Sequence, residues 1–407
     1  MSVSLRAIKF NHSAGSLSTD AMTIRKNKTE DIQVPEWKAG INVNPEDSKA
    51  AYAILETRGN TISIQAAFTH PGPSGNVQIR AIDATVDPPS PTGCIGLIAR
   101  ILRAIWKYFF GNVLGDVKPK WITFNMNGLS GYNEFELENT RIAAAGVGIY
   151  TIEWQWQYRY STKQRWRNME ISRHRIYVVL ETPKSTWNQT SGSDHLPWTD
   201  VLDYSCAWAR TARTRDDAAT RITKAVYGLG SSVIEYDCPS FGDTHYCYAS
   251  RFDCTKFIER MKGGAGNGQY VNCTDCATIV TTFSNVLGCD LWTSNMQGPY
   301  PNGFLLNPIL AIGGTTWQTA CGWPGFSFHA VAWKNNCDVN DEIFDSCLQV
   351  DGDSDPMTAP HTPMWATNVK FGDCNTLTYR SRLSPTMAGG CAVCTPEPMY
   401  RIRRTIK

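Results

Sequence analysis

Between residues 150 and 160 the chain places Tyr150, Ile152, Trp154, Trp156, Tyr158 and Tyr160 at every second position, with Glu153, Gln155 and Gln157 between them. A period of two puts all six large side chains on one face of a strand and the polar ones on the other, which no helix can do. This segment must therefore lie in a sheet whose aromatic face is covered. The same reading extends through the first half of the chain. Residues 61–68 alternate, His70-Pro71-Gly72-Pro73-Ser74-Gly75 is a turn cluster, and residues 77–82 alternate again, which predicts a hairpin. Residues 176–180 form a further strand that stops before Pro183. Residues 1–185 are read as a β-rich domain, a sandwich of the immunoglobulin-like type.

One segment breaks the pattern. After Asp87-Pro88-Pro89-Ser90-Pro91, residues 94–115 carry Leu97, Ile98, Ile101, Leu102, Ile105, Trp106, Phe109 and Phe110 at helical spacing, with Arg100, Arg103 and Lys107 opposite. A helix of that length is about 33 Å long, but the three cations oppose a membrane span. It reads as a helical insertion packed across a sheet. Its alternative is contact with a carrier, a particle or a membrane interface.

Bulk properties exclude some functions. A formal net charge of +2 is too small to make nucleic acid or an anionic membrane the main partner. The first fifteen residues lack the long apolar core of a signal peptide, which predicts a protein that is cytoplasmic or exported by a signal-peptide-independent route. Thirteen of the 14 cysteines follow residue 200, from Cys206 to Cys394. Pairs such as Cys238 and Cys247 are spaced to close small disulfide loops, though one sequence does not fix connectivity.

The second domain is read as residues 186–407, entered through the polar stretch 188–194. Helices are predicted at 201–210, with Thr199 as N-cap, and at 218–227, opened by Asp216 and Asp217 and stopped by Gly228 and Gly230. A Gly-rich loop then leads to Asn272, an N-cap, and to an apolar helix ended by Gly288. Cys273 stands in its first turn. A sulfur there faces unpaired N–H groups and the positive end of the helix dipole, which favour the anionic form and can also stabilise an oxyanion. Cys276, nearly one turn deeper, packs. Residues 326–333 alternate as a strand that carries His329. After a polar turn, residues 342–348 return as a second strand that carries Asp345. A hairpin of that length brings His329 and Asp345 to one face, giving a nucleophile, a proton shuttle and an orienting acid.

These residues carry a resemblance. The run CTDCATIVTTFSNVLGCDL resembles the active-site helix of the transglutaminase-like superfamily, in which a Cys opens a helix, a small residue follows four positions later and Leu-Gly ends it. Ala277 and Leu287-Gly288 fill those positions if Cys273 is the nucleophile, whereas Cys276 puts Ala277 out of register. His329-Ala330 followed by Trp333 is similar to the family's His strand, and Asp345 stands where its orienting Asp is expected. The helix pair before the Cys is similar to that of bacterial members. The resemblance spans roughly residues 195–355. It implies a papain-like α+β domain, and so an α+β chain overall, with Cys273, His329 and Asp345 as catalytic triad. The implied activity is thiol-dependent acyl transfer on an amide or peptide of a protein or peptide substrate, with no cofactor and no metal. Hydrolysis by a cysteine peptidase or amidase is favoured over crosslinking, because no calcium or acceptor-lysine signature is visible. Departures are Ile343 and Phe344 where the family often has Trp, and an oxyanion helper left open among Tyr236, Gln269 and Tyr270.

Competing readings are a catalytically inactive binding or structural module, and cargo or effector of an export or injection particle. Cys273-x-x-Cys276 and Cys391-x-x-Cys394 have zinc-ligand spacing but are too far apart for one ribbon. Asp351-Gly352-Asp353-Ser354-Asp355 has the oxygens of a calcium loop without its later Gly and Glu, and reads as a solvated acidic turn. Asp351 is also a second candidate orienting acid. The other histidines, among them His174, His245 and His361, lack a metal-site spacing.

Overall fold

The computed structural model describes residues 2–13, 17–72, 75–85, 112–187, 196–299, 303–372, 377–386 and 393–407. The chain forms two compact units, one of residues 1–26 and 30–182 and the other of 27–29 and 183–407. Sheets dominate both, with few helices, so the class is α+β. Among the described residues no helix is long and apolar enough to cross a membrane, which leaves β-barrels unaddressed.

The first unit contains β1 (Ser4–Lys9), β2 (Trp37–Lys38), β3 (Lys49–Ala53), β4 (Ser63–Thr69), β5 (Asn76–Asp83), β6 (Asp116–Thr123), β7 (Leu129–Glu138), β8 (Gly148–Arg159) and β9 (Arg167–Val179). They join in the order β2-β1-β4-β7-β6-β5-β8-β9-β3. β6 and β7 share only two ladder pairs, Asp116 with Glu138 and Val117 with Leu137. Phe68 on β4 meets Trp156 on β8 at 5.4 Å between ring centroids. On a flat sheet those strands would lie about 19 Å apart, so the sheet doubles over at the narrow β6–β7 junction. Its two halves then cover one core, which contains Trp154, Trp156 and Tyr158 from the alternating strand.

That arrangement is sandwich-like, but the immunoglobulin order is not found. The predicted hairpin is also absent: β4 pairs with β1 and β7, and β5 with β6 and β8. On either side of the Pro-Gly-Pro connection His70 N–H donates to Gly128 O (2.8 Å) and Phe124 N–H to Gly75 O (3.1 Å), and Pro73 and Ser74 lie outside the described residues. The predicted 94–115 helix lies outside the described residues except for 112–115, which are not helical. His174 is a core histidine, held by Ser48 and Ser172, and burial lowers its pKa to about 3.

The second unit contains α1 (Thr199–Trp208), α2 (Arg215–Tyr227), β10 (Glu235–Tyr236), α3 (Cys273–Asn285), β11 (Trp292–Gln297), β12 (Phe328–Trp333), β13 (Glu342–Phe344), β14 (Leu348–Asp351), β15 (Thr367–Lys370), α4 (Tyr379–Leu383) and β16 (Thr395–Ile402). A five-stranded sheet runs β15-β13-β12-β11-β16. α3 packs on β12 and β11 on one side and on α1 and α2 on the other, so all thirteen of its residues are buried. Ile279, Val280 and Phe283 each contribute about 1.5–3 kcal/mol by burial. The N-cap of α1 is Trp198, one residue before the predicted Thr199, and Thr214 caps α2 by accepting from Asp217 N–H. Gly288 ends α3 as predicted: at φ +94° its N–H donates to Asn285 O (3.1 Å) and Cys289 N–H donates to Ser284 O (3.2 Å). The Asn285 side chain holds the segment that follows, accepting from Leu291 N–H (2.7 Å) and donating to Leu291 O and Ser185 O. The basic C-terminal stretch leaves edge strand β16 and anchors on Trp292, with the Arg403 guanidinium 3.7 Å from its ring centroid.

Candidate active site

Cys273 occupies the first position of α3, as its N-cap signal predicts. Asn272 Oδ1 accepts from Asp275 N–H (3.0 Å), and Asp275 returns the bond to Asn272 N–H (3.3 Å). A cap of this kind contributes about 1 kcal/mol. Asp275 does more than cap. Its carboxylate also accepts the N–H groups of His245, Tyr246 and Cys247 at 2.8–3.0 Å, tying that loop to the start of the helix. The Asn-x-x-Asp spacing at 272–275 was the sequence signal for this reciprocal cap, whereas the loop clamp had none.

β12 carries His329 opposite Met296 of β11. Its Nε2 donates to Asp345 Oδ2 (2.9 Å), and both side chains are buried. Asp345 does not sit within a strand as predicted. It follows β13 and precedes β14, because its Oδ1 accepts from Cys347 N–H (2.8 Å) and Leu348 N–H (3.3 Å), a local turn that interrupts the ladder. Tyr379 of α4 adds a hydroxyl donor to Oδ2 at 2.7 Å, and no sequence pattern pointed to it. Tyr379→Phe is expected to lower kcat about 3- to 30-fold and stability by about 1.5–3 kcal/mol, since it removes one of the bonds that fix this buried carboxylate. Steady-state kinetics with a denaturation curve checks this, and an unchanged kcat refutes it.

Burial pulls the His329 pKa down, but the Asp345 charge and hydrogen bond, aided by Cys273, overcome it and hold it at about 10. Folding therefore takes up a proton at His329. The associated stabilisation is complete below an ordinary histidine pKa near 6.5 and is lost as pH rises through about 10. Nδ1 is buried and has no hydrogen-bond partner among the described residues.

Phe326 stacks on the His329 ring at 5.4 Å and 16°, and Tyr236 stacks in turn on Phe326 at 6.4 Å and 25°. Burial, followed by the charge of Cys273, pushes the Tyr236 hydroxyl above the usual phenol range, so it remains a donor. Of the three oxyanion candidates, Tyr236 is the one stacked, through Phe326, on the His329 side. Gln269 donates to Glu235 (2.8 Å), and Tyr270 packs against His245. Tyr236 and Tyr270 also line a cavity of about 230 Å³, with Ile309, Ile312 and the Cys238–Cys321 disulfide. The cavity's lining stops short of Cys273, His329 and Asp345, which are 5%, 0% and 2% exposed. Cys238 pairs with Cys321, not with Cys247, which stays a thiol against Thr274 O. That bond joins the loop of Phe241 to the loop of Trp323, whose rings stack at 6.1 Å.

Asp351 does not serve His329. Its Oδ2 takes His361 Nδ1 (2.6 Å), and its Oδ1 takes the N–H groups of Thr362 and Asp353; Asp351 is therefore buried, whereas Ser354 and Asp355 of the same acidic turn are exposed. Among the described residues no cluster of three or more His, Cys, Asp or Glu side chains is arranged to hold a metal. Cys391 lies outside them.

No family model and no curated protein matches the chain. Among solved structures the chain is similar to red sea bream transglutaminase, with 10% identity over 76% of this chain and 51% of that one and a TM-score of 0.37. The chain thus spans about half of that protein's length. A likeness this distant adds nothing to the geometry above.

Proposed function

We propose that this protein is a thiol-dependent acyl-transfer enzyme acting on amide or peptide substrates, with Cys273 as nucleophile, His329 as proton shuttle and Asp345 as orienting acid. One observation carries the reading: the buried 2.9 Å His329–Asp345 bond leaves Nδ1 unpaired and open to a cysteine at a helix N-terminus. The thiolate attacks the carbonyl carbon, and unpaired first-turn N–H groups with the Tyr236 hydroxyl take the oxyanion. His329 then gives its proton to the leaving amine, forming a thioester. Water, deprotonated by His329, releases the acid. Hydrolysis is favoured over transfer to a second amine, as no acceptor signature is present. The test is labelling with iodoacetamide near neutral pH: Cys273 should react about 10- to 100-fold faster than an ordinary thiol, and the fast phase should vanish in Cys273→Ser. A second reading, an inactive binding module, is favoured by the near-complete burial of Cys273. It predicts only ordinary thiol reactivity in the same experiment.

A further inference from the structure

Three thiols converge beside the His329–Asp345 pair, and the acyl-transfer reading uses one of them. Cys273 and Cys276 share the first turn of α3, and Cys347 follows Asp345 by two residues. We propose that Cys273 and Cys276 form a reversible oxidation site, in which a hydroperoxide oxidises the Cys273 sulfur and Cys276 resolves it to a disulfide that closes the acyl-transfer site. The inference rests on Cys273 being the reactive nucleophile.

The geometry singles out this pair. In an α-helix, residues three apart have Cα atoms about 5 Å from one another, from a rise of 1.5 Å per residue and a radius of 2.3 Å. A disulfide spans Cα separations of about 4.4–6.8 Å. The side chains at i and i+3 also lie on one helix face. Cys273 opens the helix, where N–H groups lack intrahelical partners, so re-aiming its sulfur breaks little of the hydrogen-bond ladder. Accessibility orders the steps: Cys273 is 5% exposed, whereas Cys276 and Cys347 are 0% exposed. A small oxidant meets Cys273 first, and the oxidised sulfur is then presented to a thiol sealed from solvent. Cys347 is the competing partner, and its sulfur interacts with Cys276. Drawing Cys347 towards Cys273 would, however, detach its N–H from Asp345 Oδ1 and move one element against another. Bridging Cys276 gives up its thiol contact with Cys347 but leaves the Asp345 turn in place and moves no element against another.

The chemistry balances with hydrogen peroxide. The Cys273 thiolate attacks one peroxide oxygen, the O–O bond breaks, and the departing hydroxide takes a proton to become water. The Cys276 thiol then attacks the sulfenic sulfur, forming the S–S bond and expelling the hydroxyl as a second water. Two thiols and one peroxide become one disulfide and two waters. An external dithiol reverses the bond by exchange.

The test exposes the full chain to a few equivalents of hydrogen peroxide and maps the products by peptide mass. The expected product is a 2 Da loss within the segment holding residues 273 and 276, reversed by dithiothreitol together with fast iodoacetamide labelling. In Cys276→Ala, Cys273 should instead accumulate as sulfenic and then sulfinic acid, with irreversible loss of labelling about tenfold or more above wild type. A Cys273–Cys347 crosslink, or sulfinic acid with no 273–276 bridge in the wild type, overturns the proposal. The wild-type mass readout decides it even if Cys276→Ala does not fold. Fast labelling without a bridge sinks this proposal alone, whereas a bridge without acyl-transfer activity sinks the reading of function alone.

Discussion

Replacing Cys273 by Ala is expected to lower turnover of an amide or peptide substrate by about 10⁴- to 10⁶-fold, with the unfolding transition little changed. The magnitude follows from the role: without a nucleophile there is no thioester, and the remaining N–H groups polarise a carbonyl that nothing attacks. The folded state should tolerate the change, because Ala keeps the Cβ and the caps made by Asn272 and Asp275 use neither sulfur nor side chain at 273. His329→Ala in the Cys273→Ala background should cost little more, since residues acting as one unit lose their effect together. Measuring kcat/KM on a panel of amides, with melting curves alongside, decides the matter. Residual turnover within tenfold of wild type would remove Cys273 from the chemistry.

The second large effect is expected at Asp345. Asp345→Asn should reduce kcat by about 10³- to 10⁴-fold, although the side chain keeps its shape. Asp345 accepts from His329, Tyr379, Cys347 and Leu348, and a neutral amide can serve some of these donors only by turning its NH₂ towards others. The larger loss is electrostatic. His329 is held at about 10 against the downward pull of burial chiefly by the Asp345 charge. With that charge gone, burial prevails and the imidazole becomes neutral at working pH. The wild-type rate should therefore fall on the alkaline side as pH rises through about 10, where the proton donor is lost, and Asp345→Asn should move this limb to lower pH. An alkaline limb at the same pH in both proteins would show that His329 is not the group being titrated.

How much of this was readable in the sequence depended on the range of the interaction. The alternation at 150–160, the Asn272 cap and the His329 strand are encoded by neighbours a few positions apart, and β8, α3 and β12 form there. The partners of the β4 and β5 strands are not local. Two alternating runs around a turn look the same whether they pair with each other or diverge into opposite halves of a folded sheet. Asp345 was readable as a residue but not as a break in its strand, since the break comes from its own carboxylate capturing two N–H groups. Tyr379 was unreadable, because an isolated tyrosine 34 residues away carries no mark of the acid it serves. Cys238–Cys321, with a separation of 83 residues, belongs to the same class.

The burial of α3 on every side has a consequence for how this protein responds to stress. A site on a loop can fray while its domain survives, so activity fades before structure does. Here the proposed nucleophile begins the helix that sheet and helices enclose together, and the amides of that helix are expected to exchange their hydrogens only when the whole unit opens. Heat or denaturant should thus switch the site off cooperatively with the unit's structure, not ahead of it. Natural variation that merely weakens the surrounding core will change how many molecules are competent at a given moment, and leave each competent molecule with its full rate.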